Sequence, residues 1–304
     1  KNGCYSVTNP QADIIEPPQI TVTFLTRKYD GNYDVSCKGY NNGSVWIDSI
    51  SGGNGGYRYK WTTVNGSISG IDTLDRLDNI SAGTYYLHTT DFKGCTKTDS
   101  VTLYEPEGMV LSDSQVQVKA DGTYNVSCDG GSDGSINITI TGGSGNYTYS
   151  WSGPSGFTSA SEDISGLRAG TYTCSVLDLN GCLLAPVPSF TLTAPPDLSI
   201  SATTSISPDG DYNIACNGGT GSVDLTVNGG IPGSYQYVWS TTDGSGLAQG
   251  LEDQSALTAG TYTVIVRDIN GCEETLSITL TSPDKIALVF TEKNITCASG
   301  VFND

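Results

Sequence analysis

The chain has 304 residues and a formal net charge of −18, from 14 Lys+Arg against 32 Asp+Glu, with 38 Gly, nine Cys, one Met and one His. Nucleic acid and an anionic membrane are disfavoured as partners, because both would meet like charge. No apolar run approaches the roughly 20 residues that span a bilayer as a helix, and the Tyr, Val, Thr and Ile of the periodic segments favour a pleated surface.

Residues 1–17 read as the end of a preceding repeat, because Lys1-Asn2-Gly3-Cys4 matches Leu179-Asn180-Gly181-Cys182. Glu16-Pro17-Pro18 is a linker, and others stand at Tyr104-Glu105-Pro106, Ala194-Pro195-Pro196 and Ser282-Pro283. Proline fixes φ, so these boundaries are predicted to be short and stiff. They divide the chain into repeats at 18–106, 107–196 and 197–283, while 284–304 opens a further copy in which Asn294-Ile295-Thr296-Cys297 matches the stretch from Tyr124 to Cys128. A repeat of about 90 residues can bury a modest core of its own.

Within each repeat an apolar alternating strand comes first (Ile20 to Phe24, Val116 to Val118, Leu198 to Ile206) and runs into an Asp-Gly turn at Asp30-Gly31, Asp121-Gly122 and Asp209-Gly210. Tyr-x-Val/Ile-x-Cys, a Gly-rich turn and a second strand such as Ser135 to Ile140 follow. Gly-Gly turns (Gly52-Gly53, Gly142-Gly143, Gly229-Gly230) then lead into Tyr57 to Trp61, Tyr147 to Trp151 and Tyr235 to Trp239. Tyr, Tyr and Trp at spacing two share one strand face, which is predicted to be the core.

After a variable polar segment comes the strongest internal repeat, Leu167 to Cys182, which recurs at Ile80 to Cys95 and Leu257 to Cys272. Ala-Gly-Thr-Tyr opens a buried strand that stops at an Asp-x-x-Gly-Cys turn, and a last strand such as Thr275 to Leu280 closes the unit. This order predicts an all-β fold of tandem immunoglobulin-like β-sandwich domains in a linear array, with Tyr85, Tyr172 and Tyr262 at the tyrosine-corner position.

The full pattern is Cys-x-Gly-Gly-x-x-Gly-Ser, Gly-Gly before Tyr-x-Tyr-x-Trp, Leu-x-Ala-Gly-Thr-Tyr and Asp-x-Asn-Gly-Cys. It resembles the SprB-repeat family of very large surface proteins of gliding Bacteroidetes. The first repeat departs from it at Lys38-Gly39-Tyr40 and Asp91-Phe92-Lys93. The resemblance implies type IX secretion, display on the bacterial cell surface, and service as a mobile adhesin pulled by the gliding machinery. It also implies a host that O-glycosylates Asp-Ser/Thr-apolar triplets, for which Ser49, Thr73 and Ser100 are candidates.

Catalytic chemistry has little to stand on. The single His88 falls in the repeated strand, where Ser175 and Ile265 occupy the sister positions, so it reads as a strand residue and not as a base. Asp30, Asp121 and Asp209 in the Asp-Gly turns, with Asp91, Asp178 and Asp268 before the last turn, could bind calcium near repeat junctions. They are equally good turn formers, and Asp-x-Asp-x-Asp-Gly spacing is missing. No other cofactor is expected.

Cysteines at repeating positions without CxxC or Cys/His clusters point to disulfides and an extracellular setting. One pairing lies within repeats: Cys37 to Cys95, Cys128 to Cys182, Cys216 to Cys272. In an immunoglobulin-like topology, however, those cysteines sit before one strand and after a second strand running the same way. Seven-residue strands span roughly 23 Å, whereas bridged Cα atoms lie within about 7 Å. The other pairing crosses the junctions, Cys37 to Cys182 and Cys128 to Cys272, and leaves Cys95, Cys216, Cys4 and Cys297 to further partners. The Asp-Gly hairpin could still carry the first cysteine to the other end, so both pairings stand open. Cys174, aligned with Leu87 and Val264, reads as a buried thiol acting as a small hydrophobe.

The sequence therefore predicts a non-enzymatic stalk segment of a surface adhesin. Its expected partners are neighbouring repeats, a surface polysaccharide or solid substratum, and the gliding and secretion machinery through other regions. A glycan-binding module and a surface-layer or pilus-like structural protein are the rival readings.

Overall fold

A computed structural model describes residues 15–68, 70, 72–233 and 235–291. Cys4 and Cys297 lie outside them. Among the described residues, no helix is long and apolar enough to cross a membrane.

The chain divides into two compact units. One comprises Lys1–Gln117, Ser135–Gly166 and Gly170–Thr191; the other comprises Val118–Gly134, Leu167–Ala169 and Leu192–Asp304. The division runs through the second repeat, whose Asp-Gly hairpin belongs with the third.

In the first unit, the first repeat supplies β1 (Thr21–Thr26), β2 (Gly43–Ser51), β3 (Arg58–Thr63), β4 (Arg76–Ile80), β5 (Gly83–Thr90) and β6 (Thr96–Leu103). They form two antiparallel sheets, ordered β1-β2-β4 and β3-β5-β6. Val45, Leu77 and Ile80 of one sheet pack with Trp61, Tyr85, Leu87 and Leu103 of the other in a single core. That split, with the Trp-bearing and Tyr-cornered strands together, is the immunoglobulin-like sandwich.

The second repeat follows with β7 (Val110–Val116), β8 (Gly134–Thr141), β9 (Thr148–Ser152), β10 (Thr158–Ser159), β11 (Ile164–Leu167), β12 (Gly170–Leu177) and β13 (Ser189–Leu192). Its sheets are ordered β7-β8-β11 and β10-β9-β12-β13. β8 shows why alternation predicts burial: Ile136, Ile138 and Ile140 are buried while Asn137 and Thr139 between them are exposed. β7 differs from expectation, running over Val110–Val116 and not Val116 to Val118. Its residues lie almost wholly exposed at the sheet edge, so selection for an apolar period is weak there.

In the second unit, the third repeat builds β14 (Ser199–Thr204), β15 (Gly221–Asn228), β16 (Gln236–Thr241), β17 (Gln254–Leu257), β18 (Gly260–Arg267) and β19 (Glu273–Leu280). The sheets β14-β15-β17 and β16-β18-β19 enclose Val223, Leu225, Leu257, Trp239, Tyr262, Val264, Val266, Ile278 and Leu280.

Tyr85 donates its hydroxyl to the Ser81 carbonyl at 2.7 Å and accepts the Ser67 N–H at 3.2 Å. Tyr262 does the same with Thr258 at 2.7 Å and Ser245 at 3.1 Å. These are tyrosine corners, in which a buried ring ties its own strand to the loop before it. Tyr172 is buried likewise, with Phe157 edge-on to it at 5.3 Å.

The predicted Tyr-Tyr-Trp face divides its labour. Trp61, Trp151 and Trp239 are the core members, and each donates its indole N–H to a carbonyl of the variable segment: Leu74 at 3.0 Å, Ser161 at 2.9 Å and Leu251 at 2.9 Å. The tyrosines are only half-buried. Tyr57 donates to the carbonyl of Gly52, and Tyr147 to that of Gly142 at 2.6 Å, so they brace the Gly-Gly turns.

Candidate functional site at the repeat junctions

Each repeat presents two recurring surfaces built by the same local rules: the Asp-Gly hairpin between its first two strands, and the Asp-x-x-Gly-Cys turn before its last strand. The hairpin is fastened by its own backbone. Asp34 and Val35 donate N–H groups to the Tyr104 carbonyl, Asn125 and Val126 to Thr193, and Asn213 and Ile214 to Thr281, all at 2.8–3.1 Å. The side chains reciprocate: Asp34 accepts the Tyr104 N–H at 3.0 Å, Asn125 that of Thr193 at 3.0 Å and Asn213 that of Thr281 at 2.9 Å. Val35, Val126 and Ile214 are buried beneath, so the hairpin tip is held and not free.

The last turn is organised by a buried aspartate. Asp178 Oδ1 accepts the N–H groups of Asn180 at 3.0 Å and Cys182 at 2.9 Å, while its Oδ2 accepts that of Ser144 at 2.9 Å. Asp268 holds Asn270, Cys272 and Ile231 at 2.9–3.0 Å. Asp91 holds Lys93, Cys95 and both nitrogens of Asn54 at 2.7–2.9 Å. Burial works to raise the Asp91 carboxyl, but the Asn54 side chain and the backbone N–H groups outweigh it and bring the carboxyl down to about 2. In all three turns the oxygens face N–H donors, which is the geometry of turn closure. Among the described residues, no group of three or more His, Cys, Asp or Glu side chains is gathered as a metal cluster. In the hairpins, the Asp121 carboxylate accepts the N–H groups of Thr123 and Tyr124, Asp209 accepts that of Asp211, and Asp30 opens a short 3-10 turn.

Hairpin and turn meet in a disulfide. Cys37 is bonded to Cys182 inside the first unit, with Cα atoms 5.7 Å apart, and Cys128 to Cys272 inside the second, with Cα atoms 5.6 Å apart. Of the two pairings open from sequence, these bonds are the ones across repeats. Beside the first, Asn180 accepts the Asp30 N–H at 3.0 Å and donates Nδ2 to the carbonyls of Asp30 and Ser36, each at 3.2 Å. Beside the second, Asn270 accepts the Asp121 N–H at 3.2 Å and donates to the Asp121 carboxylate and to the Ser127 carbonyl at 3.4 Å. Lys38 adds an exposed ion pair with Glu107 at 2.9 Å, a contact of small energetic weight. A sequence reading takes Asn180 and Asn270 for turn formers only. Their recurrence two residues before a cysteine was the signal available.

Cys95 and Cys216 are free and exposed, and Cys174 is free and buried. Burial pushes the Cys174 thiol up to about 11. His88 lies exposed on β5 between the hydroxyls of Thr62 at 3.0 Å and Thr98 at 2.9 Å, a cross-strand ladder. Ser49 on β2, Thr73 in the variable segment and Ser100 on β6 are all exposed; Ser49 exchanges hydrogen bonds with Thr23.

A family model described as the SprB repeat matches residues 33–68, 122–156 and 212–244. Each match opens at the Asp-Gly hairpin and reaches past the Trp-bearing strand. No curated protein matches the chain. Among solved structures, a 1.5-MDa bacterial ice-binding adhesin is 14% identical over 88% of this chain and 98% of its own, with a TM-score of 0.38. The insect immune protein hemolin is 9% identical over 90% of this chain and 93% of its own, with a TM-score of 0.29. Extracellular domains 3–5 of Drosophila OTK are 10% identical over 79% and 91%, with a TM-score of 0.26.

Proposed function

We propose that this chain, which carries three SprB repeats, is a non-enzymatic stalk segment of a large bacterial cell-surface adhesin that transmits force between cell and substratum. The SprB matches support surface display and an adhesin repeat; export by the type IX route and motion by the gliding machinery, acting through other regions, are the finer parts of the same proposal. The repeats at 18–106, 107–196 and 197–283 are taken as its mechanical units.

One observation carries the load-bearing role: the two disulfides overlap in sequence. The chain between Cys37 and Cys272 is 235 residues long, but the shortest covalent path crosses one bond to Cys182, returns 54 residues to Cys128 and crosses the other bond. At about 3.6 Å per residue, full extension of that stretch falls from roughly 850 Å to roughly 190 Å. A pull on the ends therefore reaches covalent bonds before most of the chain can unravel. Pulling single molecules from residues 1 and 304 tests this. Oxidised molecules are expected to stop about 650 Å short of reduced ones; equal extension in the two states would remove the stalk reading.

A second reading, glycan binding, has one specific feature in its favour. Tyr57, Tyr59, Leu74 and Asp75 of the first repeat line an open groove of about 590 Å³. In the other repeats, Tyr149 and Tyr237 hydrogen-bond Glu162 and Glu252. Tyr59 has Asp75 beside it in the groove instead, one methylene shorter than those glutamates. Saturable binding on a glycan array, lost in Tyr59→Ala, would favour this reading over the stalk.

A further inference from the structure

The basic residues are unevenly placed along the chain. Residues 18–106 hold eight of the 14 Lys and Arg beside nine Asp and Glu, whereas residues 107–283 hold three beside eighteen. Six of those eight have partners. Lys28, Lys38, Arg76 and Lys97 stand in ion pairs, and Arg27 and Lys93 lie over the rings of Tyr29 and Phe92 at 5.1 and 5.6 Å. Arg58 and Lys60, both exposed, have neither a carboxylate nor a ring partner among the described residues.

Register puts these two cations on one face. They alternate on β3 with Tyr57, Tyr59 and Trp61, so they leave the sheet on the side away from the core, about 7 Å apart. Two rows then cross β3, β5 and β6: Arg58 with Thr90 and Thr96, and Lys60 with His88 and Thr98. The His88 ring is held between the hydroxyls of Thr62 at 3.0 Å and Thr98 at 2.9 Å, and Tyr86 follows on the same face of β5. The outward positions of these three strands include no Asp or Glu. The fold does not require the cations. The second repeat has Thr148 and Ser150 at their positions and the third has Gln236 and Val238, yet each builds the corresponding sheet.

We infer that the outer face of the β3-β5-β6 sheet binds an acidic polysaccharide, whose carboxylate or sulfate groups pair with Arg58 and Lys60 while its sugar rings lie over Thr90, Thr96 and Tyr86. The Arg58 guanidinium is a planar fork that takes such an anion through two parallel hydrogen bonds. The acidic excess elsewhere in the chain does not cancel this patch, because exposed charges more than about 8 Å apart are largely screened at physiological ionic strength. A DNA duplex fits less well. Proteins that hold it typically make about 6–10 phosphate contacts, whereas two cations on a hydroxyl-lined face suit a polymer of sparser charge. This site goes beyond the stalk reading and does not depend on it.

Native affinity electrophoresis of the full chain tests the inference, with alginate, dextran sulfate or neutral dextran in the gel and mobility compared with a gel lacking polymer. Retardation by alginate or dextran sulfate, and not by dextran, is expected; the first reports a carboxylate and the second a sulfate as the anion. It should weaken as salt is added. The double variant Arg58→Thr, Lys60→Ser carries the residues of the second repeat, so its strand is expected to form, and binding should fall about tenfold. Lys60→Arg should retain it. Arg58 also lines the groove beside Tyr59, and Tyr59→Ala separates the two sites because it leaves the outer face intact and should bind as wild type does. Lack of retardation by both acidic polymers would overturn the inference, as would undiminished binding by the double variant. Loss of binding in Tyr59→Ala alone, or tighter binding of a DNA duplex than of either polysaccharide, would overturn it too. None of these outcomes bears on the pulling test of the stalk.

Discussion

Asn180 and Asp30, 150 positions apart, hydrogen-bond in both directions: the Asp30 N–H reaches Asn180 Oδ1 at 3.0 Å, and Asn180 Nδ2 reaches the Asp30 carbonyl at 3.2 Å. The same side chain also caps the Ser36 carbonyl, next to the cysteine that is bonded. Asn180→Ala removes two exposed hydrogen bonds to Asp30 and a part-buried one to the Ser36 carbonyl, so a loss of about 1 kcal/mol is expected. Urea unfolding of the oxidised chain reads it out. Asn270→Ala should produce a comparable loss through Asp121 and Ser127. A midpoint unchanged in both variants would make these contacts incidental to junction stability.

Much of the fold could be read from the sequence because alternation and turn chemistry are local. Ile136, Ile138 and Ile140 announce a buried strand, and a tyrosine after Ala-Gly-Thr announces the corner that Tyr85 and Tyr262 make. β7 was misplaced because an exposed edge strand such as Val110–Val116 needs no apolar period. The junction was half legible. Strand direction argued against Cys37 meeting Cys95, but only the folded hairpin, pinned at Tyr104 and Thr193, decides where Cys37 and Cys128 arrive. Asn180 and Asn270 escaped notice because their partners lie about 150 residues away, and nothing in Asn-Gly distinguishes a docking amide from a turn former.

Two glycines of the third repeat separate steric need from conformational need. Gly229 has φ +77°, and a Cβ built on it would sit 1.8 Å from the Asp197 carbonyl oxygen. Gly271 has φ +86° with nothing within 4 Å of such a Cβ. Gly271→Ala is therefore expected to cost only the left-handed backbone penalty of about 1 kcal/mol. Gly229→Ala must also push the linker strand away, and its loss should exceed that of Gly271→Ala by at least about 2 kcal/mol. Denaturant midpoints of the two variants, measured side by side, check the ordering; equal losses would mean that the linker yields freely.

Asp91 gives the first repeat an acid dependence of calculable sign. Its carboxyl sits at about 2 when folded, against about 3.9 in an unfolded chain. A depressed folded value contributes stability above the unfolded value and loses it as pH falls through the folded one. Stability is thus expected to be flat above about pH 4.5 and to decline from there to pH 2. Asp91→Asn should be less stable at pH 7 and show a shallower decline, because an amide cannot accept all the N–H groups of Asn54, Lys93 and Cys95. Urea midpoints at pH 7, 4 and 2.5 measure both. The same slope in wild type and variant would assign the acid dependence to other carboxylates.

Thiol labelling distinguishes the three cysteines that are free among the described residues. Cys174 is fully buried among core strands, and that burial pushes its thiol up to about 11, so at pH 8 it offers neither access nor thiolate. Cys95 and Cys216 are exposed. With iodoacetamide at pH 8, native chain is expected to be alkylated at Cys95 and Cys216 within minutes, and at Cys174 only through opening of the β9–β12 core. The Cys174 rate should then track the unfolding equilibrium as urea is added, while the other two stay constant. Fast native labelling of Cys174 would show that the second repeat opens far more readily than its packed Trp151, Tyr172 and Val176 allow.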